Sequence, residues 1–316
     1  MMRIAVLDDY QDCAETLANW SNVRAKAELK IHRRPIGDEN ELARVLRDCD
    51  ALCLIRERTP ISSALLSRLP ALRLIVLAGP RTAKIDTNAA ESRGIEVRVT
   101  GGGPIVHATA ELTIGLVFAL ARGIPQSDRG MRVGKWLEAS SLGRVMHGST
   151  LGIIGLGRVG AYVAELGHAM GMHVLAWSRN PTRERAEAHR VELAPSKTDL
   201  LKRADFVTLH LALAPQTVGT ISAPDLAYMK PTAFLVNTAR AALIVEDDLF
   251  AALAERRIAG AAIDVFDDEP LPPTSRWRTL ENVIVTPHCG YATKEIYGAF
   301  FREMVAHLED WLGRHD

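Results

Sequence analysis

The chain has 316 residues, 47% of them hydrophobic, which is enough to bury a sizeable core, and this length favours two domains over one. Lys plus Arg and Asp plus Glu balance at 38 each, so no global field draws nucleic acid or an anionic membrane, and neither is expected as a partner. No apolar run reads as the roughly 20 uninterrupted residues of a membrane helix, because charges break every candidate, and the four cysteines show neither metal nor disulfide spacing.

The chain opens on Arg3-Ile4-Ala5-Val6-Leu7 followed by Asp8-Asp9, a short buried strand ending in acid rather than an export signal. A cytoplasmic protein without a metal site is the expectation. Further apolar runs at Ala51 to Ile55, Leu74 to Leu77 and Glu96 to Val99 alternate with amphipathic stretches. Strands separated by helices are normally parallel, because a parallel neighbour needs a crossover long enough to hold a helix. The first hundred residues therefore predict a small α/β domain.

Thr100-Gly101-Gly102-Gly103-Pro104 breaks the pattern and reads as a hinge. From Ala108 to Arg122, Leu112, Leu116 and Leu120 recur four apart on a largely buried helix. A second α/β series has six predicted strands: Thr150 to Ile154, His173 to Trp177, Phe206 to His210, Ala233 to Asn237, Gly260 to Val265 and Val283 to Val285. Beyond Thr293, the stripe Ile296, Phe300, Met304, Leu308 and Leu312 marks a long closing helix expected to return to the first domain. The predicted fold is α/β with two doubly wound parallel-sheet domains. A Rossmann cofactor domain (103–290) is inserted into a flavodoxin-like substrate domain (1–102 plus 291–316).

The first strand of the second series runs into Gly155-Leu156-Gly157-Arg158-Val159-Gly160, and Val159, Val163, Leu166 and Met170 then open a helix with one apolar face. A G-x-G-x-x-G string alone is weak, but strand, glycine turn and helix in this order place a pyrophosphate on a helix N-terminus. Gly155 permits the turn, Gly157 lets backbone approach phosphate, and Gly160 lets helix and strand pack. The next strand should end in a carboxylate for the adenine ribose of NAD. It ends in Trp177-Ser178-Arg179-Asn180 instead. With no acid there, and with Arg179 available to a 2′-phosphate, NADP is favoured over NAD.

Hydride exchange with such a cofactor needs an acid/base for the substrate oxygen and a cation for its carboxylate. Three strand ends offer them: Arg240 after Leu235-Val236-Asn237-Thr238-Ala239, Glu269 in the acidic loop after Gly260 to Val265, and His288 after Val283 to Pro287. Singly, each is an ordinary solvated or structural residue. Together they give His288 as general acid/base, Glu269 as the carboxylate that fixes its tautomer, and Arg240 as the substrate cation.

These segments, with Met229-Lys230-Pro231 and Asp264-Val265-Phe266-Asp267-Asp268-Glu269-Pro270, make the chain resemble the D-isomer-specific 2-hydroxyacid dehydrogenases over nearly its whole length. The resemblance implies catalytic Arg240, Glu269 and His288. It places the nicotinamide near Asp264 and the backbone from Thr238 and Ala239 to Arg240, and it implies a homodimer through the cofactor domain. Members of the family hold the substrate carboxylate on backbone amides after Gly79. Here Pro80 supplies no amide, and Arg81 is the candidate for a second anionic group. Glutamate at 269 argues against a formate dehydrogenase, which resembles this family but carries glutamine there. The mid-chain loop argues against a short-chain dehydrogenase. A dinucleotide-sensing corepressor that keeps the same three residues is the alternative from another class.

Overall fold

The computed structural model describes residues 1–80, 82, 84–137, 142–180 and 183–315. The chain divides into two compact units, Met1–Pro104 with Ala292–Asp316, and Ile105–Tyr291. Both are parallel α/β sheets.

The first unit runs β1 (Met2–Val6), α1 (Ala14–Leu17), α2 (Ser21–Lys26), β2 (Ala27–Ile31), α3 (Glu39–Leu46), β3 (Ala51–Leu54), α4 (Ser63–Leu66), β4 (Leu74–Leu77), α5 (Thr87–Ser92) and β5 (Glu96–Val99). Its strand order is β2-β1-β3-β4-β5, the doubly wound flavodoxin-like arrangement. Strands β3 and β4 are buried at every position, as strands covered on both faces by helices must be. The edge strand β2, absent from the sequence reading, alternates buried Ala27 and Leu29 with exposed Glu28 and Lys30. Its charges gave it the look of an amphipathic helix.

The second unit runs α6 (Ile105–Arg122), α7 (Ile124–Arg132), β6 (Thr150–Ile154), α8 (Arg158–Ala169), β7 (His173–Trp177), α9 (Arg183–Ala188), β8 (Glu192–Leu193), α10 (Lys197–Arg203), β9 (Phe206–Leu209), α11 (Ala223–Tyr228), β10 (Phe234–Asn237), α12 (Glu246–Ala254), β11 (Gly260–Ile263) and β12 (Val283–Val285). The closing helix α13 (Lys294–Gly313) packs on α1, α2 and β4 of the first unit, capped at its start by the Thr293 hydroxyl. Seven strands, not six, form the sheet β12-β11-β10-β9-β6-β7-β8, the extra one being the two-residue edge β8.

Helix α6 corrects one expectation. Its 18 residues are long and apolar enough, by length and composition, to cross a membrane, since Glu111 and Arg122 do not interrupt the run. Its apolar character has a local cause: Ala110, Ile114, Val117 and Leu120 are buried in the core of the second unit, where α6 packs on α8, β10 and β11.

The register of the seven-stranded sheet positions the site. Trp177 pairs with Ile154, Ile154 with Leu209, Leu209 with Asn237, Asn237 with Ile263, and Ile263 with Val285, so six strands end on one row. The residues immediately beyond that row are Ser178, Gly155, His210, Thr238, Asp264 and Thr286. In open parallel sheets this carboxyl edge is where ligands bind, and the switch in strand order falls between β6 and β9.

Candidate active site

The glycine loop leaves β6 at the switch point. Gly155 has φ +106, and a Cβ there would lie 2.8 Å from the backbone of His210 and Leu211. At Gly160 a Cβ would lie 2.2 Å from the Gly155 carbonyl oxygen, so helix and strand touch through bare backbone. Gly157 differs: a Cβ there meets nothing within 4 Å among the described residues. It opens α8 without a side-chain cap, which leaves the first amides of the helix, at Arg158 and Val159, to find other partners. Open space over uncapped amides, with exposed Arg158 beside it, suits a pyrophosphate, so these residues fit a dinucleotide.

The Ser178 hydroxyl accepts the Leu156 amide at 2.8 Å, fixing the loop to the end of β7, while Arg179 is exposed beside it. Across the switch, burial pushes the His210 imidazole down to about 3, so it is neutral, and its Nε2 has no hydrogen-bond partner among the described residues.

Three further strand ends form the second half of the site. After β10, the Asn237 side chain spans the turn, accepting the Ala239 amide at 3.0 Å and donating to the Arg240 carbonyl at 2.9 Å. The Thr238 hydroxyl, buried, meets that of Thr113 on α6 at 2.7 Å, and the Arg240 guanidinium donates to the Ala239 carbonyl at 2.6 Å. The segment that presents Arg240 is thus held on both flanks.

After β11, Asp264 is fully buried. Its carboxylate accepts the Thr286 hydroxyl at 2.6 Å and the amides of Cys289 and Gly290 at 2.9 Å each. Burial nonetheless holds its carboxyl above the ordinary range, against these bonds. Burial, with Asp264 beside it, also pushes the Cys289 thiol up to about 11, so Cys289 is a neutral thiol.

The loop wrapped around Asp264 carries His288, whose Nδ1 lies 2.6 Å from Glu269 Oε2. The other Glu269 oxygen accepts the Phe266 amide at 2.9 Å. The two side chains keep 28% and 29% of their surface exposed, so the pair is formed yet reachable. A carboxylate on Nδ1 makes that nitrogen the donor and leaves Nε2 for exchange with a ligand.

Arg240, Glu269 and His288 therefore stand at the ends of three adjacent strands, on the same edge as the glycine loop. In the first unit, the Gly79 amide donates to the Thr100 hydroxyl at 2.9 Å, and a Cβ at Gly79 would lie 2.3 Å from Arg56 Nη1. That amide is engaged within its own unit, and the Arg56 guanidinium covers the turn. Arg81 lies outside the described residues. Sequence reading gave Asn237, Thr113 and Thr286 no positioning role. Only Asn237 carried a local signal, an Asx residue at a strand end before a tight turn.

Two parallel sheets, one carrying a dinucleotide fingerprint and a carboxylate–imidazole pair on its carboxyl edge, define a two-unit α/β protein with a dinucleotide-binding fold. Residues 114–290 match the family model described as D-isomer specific 2-hydroxyacid dehydrogenase, NAD binding domain. The chain belongs to that family. It is 37% identical over 296 residues to a D-3-phosphoglycerate dehydrogenase of Methanocaldococcus jannaschii, covering 93% of this chain and 54% of the relative. It is 39% identical over 257 residues to a glyoxylate reductase of Aeropyrum pernix, covering 79% and 76%. A crystal structure of an oxidoreductase from Ralstonia solanacearum superposes with a TM-score of 0.94 at 38% identity, covering 99% of this chain and 95% of that one. The chain spans about half the length of the curated D-3-phosphoglycerate dehydrogenases it matches.

Proposed function

We propose that the protein catalyses reversible hydride transfer between a nicotinamide dinucleotide, NADP(H) in preference to NAD(H), and a small 2-oxo acid or its D-2-hydroxy acid. The observation that carries this reading is the 2.6 Å bond between His288 Nδ1 and Glu269 Oε2, formed at strand ends beside Arg240. The names of the relatives, D-3-phosphoglycerate dehydrogenase and glyoxylate reductase, support that substrate class.

When bound, the dinucleotide supplies or takes the hydride. Gly155, Gly157, Arg158, Val159 and Gly160 would form the loop that takes its phosphates, Ser178 and Arg179 would meet the adenosine ribose, and Thr238, Ala239 and Asp264 would serve the nicotinamide. Arg240 holds the substrate carboxylate and offsets the negative charge that develops on the carbonyl oxygen as its carbon takes the hydride. His288 gives its Nε2 proton to that oxygen on reduction and takes it back on oxidation, while Glu269 stabilises the imidazolium. The neutral Ser178 and exposed Arg179 favour a 2′-phosphate.

Exposed Phe118, Met131, Trp136, Leu137, Leu142 and Val145, around α6, α7 and the approach to β6, support a homodimer through this unit. The balanced charge supports partners other than nucleic acid or an anionic membrane.

The test follows nicotinamide absorbance with NADPH and NADH against glyoxylate, hydroxypyruvate, pyruvate and longer 2-oxo acids. Turnover of at least one, faster with NADPH, is expected. Dinucleotide binding without turnover of any would overturn the enzyme reading in favour of a corepressor-like sensor.

A further inference from the structure

The residue between the first two glycines of the loop, Leu156, is held from two sides. Its amide donates to Ser178 Oγ at 2.8 Å, and its carbonyl accepts Arg185 Nη1 from α9 at 3.3 Å. In this topology, the partner of the adenosine ribose belongs at the end of the strand after the loop, the position of Ser178. Ser178 and Arg185 grip the N–H and the C=O of one residue, so the Arg185 guanidinium reaches the same loop residue that the strand-end hydroxyl anchors. It reaches this place from seven residues further along the chain, beyond the strand-end positions where a ribose-reading residue is ordinarily sought.

We propose that Arg185 is a second cofactor-discriminating residue, binding the 2′-phosphate of NADP together with Arg179. This rests on the NADP preference proposed above. A contact of 3.3 Å from a guanidinium to a neutral carbonyl is long, whereas guanidinium–phosphate bonds are charge-assisted and close to about 2.7–2.9 Å. A guanidinium carries five N–H donors in a planar fork, a geometry that matches two phosphate oxygens at once. An acid at position 178 would compete with the phosphate for that guanidinium, whereas the neutral Ser178, its hydroxyl already accepting the Leu156 amide, does not. With NAD the same arginine meets only an uncharged hydroxyl. Its contribution should therefore fall on one cofactor.

The bland alternative is that Arg185 only straps the loop through Leu156. The two roles separate in a binding measurement on the intact chain that needs no turnover. Calorimetric titration of wild type, Arg185→Gln and Arg185→Lys with NADP⁺, NAD⁺, 2′-AMP and 5′-AMP reads the ratio of affinities. The expected result is an NADP⁺ affinity at least tenfold lower in Arg185→Gln, with NAD⁺ and 5′-AMP within about twofold of wild type, and partial recovery in Arg185→Lys. Equal losses for NADP⁺ and NAD⁺ would make Arg185 a strap and overturn the assignment, as would no loss for either. Wild type binding NAD⁺ more tightly than NADP⁺ would instead overturn the cofactor preference itself, and this assignment with it.

Discussion

Glu269 serves two neighbours at once: one carboxylate oxygen is 2.6 Å from His288 Nδ1 and the other accepts the Phe266 amide at 2.9 Å. The Phe266 bond fixes the carboxylate, and the carboxylate fixes the tautomer of the imidazole. His288→Ala should keep dinucleotide affinity and lose about 10²–10⁴-fold in turnover. In Glu269→Gln, one of the two carboxylate oxygens becomes an NH2 group that faces either the Phe266 amide or the Nδ1 proton donor to donor, so turnover should fall on the order of 10²-fold with the fold intact. Steady-state kinetics beside cofactor titration checks both, and near-wild-type turnover in His288→Ala would remove it from the mechanism.

The three loop glycines should fail in different ways. Gly160→Ala forces a methyl to 2.2 Å from the Gly155 oxygen, so backbone must move, and a stability loss of about 1–3 kcal/mol is expected. Gly155→Ala combines a similar clash with φ +106 and should also destabilise. Gly157→Ala meets no atom of the described residues within 4 Å, so its melting temperature should match wild type while dinucleotide affinity drops. Thermal denaturation read beside cofactor titration separates the two kinds of defect.

Asn237 holds the segment before Arg240 by two hydrogen bonds, to the Ala239 amide and the Arg240 carbonyl. Asn237→Ala leaves both groups to other partners and should cost about 1–3 kcal/mol of stability. The substrate KM should rise more than the cofactor Kd, because the slackened turn carries the proposed carboxylate anchor. Equal changes in the two constants would mean that the clamp serves the whole edge rather than Arg240.

Asp205, at the entry to β9, accepts the Thr150 amide at 2.9 Å, Lys230 at 3.0 Å and Arg144 at 3.1 Å. Burial pushes its carboxyl up, but the Thr150 amide and the two cations outweigh burial and hold it below the ordinary carboxylate range. A depressed folded value means that the stabilisation is fully present above the unfolded carboxylate range and is lost as pH falls through the folded value. Asp205→Asn should therefore be less stable by about 1–3 kcal/mol near neutrality, with the gap from wild type closing in acid. Denaturant melts across pH would show it, and a gap independent of pH would assign the effect to packing.

What could be read from the sequence was whatever depends on a residue and its near neighbours. The glycine fingerprint, the buried strand runs and the polar residues that end them are local, so the strands of both sheet centres and the placing of Arg240, Glu269 and His288 at strand ends were legible. The edge strands β2 and β8 were not: an edge is wet on one side, and the charges of Glu28, Lys30 and Glu192 hide its period. The partners of Asp205 and Asp264 also lay beyond reach. Lys230 stands 25 residues from Asp205, and Cys289 stands 25 from Asp264; only the parallel register brings each pair together.

His288 sits at φ +50, a left-handed backbone that a non-glycine residue adopts at a cost of roughly 1–2 kcal/mol. What keeps it there is Asp264, drawing in the amides of the next two residues. Glycine would be the most comfortable occupant of this position, and glycine has no imidazole. Selection for stability alone would thus drift away from histidine here. The residue proposed to move the proton stands where activity and folding pull in opposite directions, and a buried acid that touches neither substrate nor proton holds the balance.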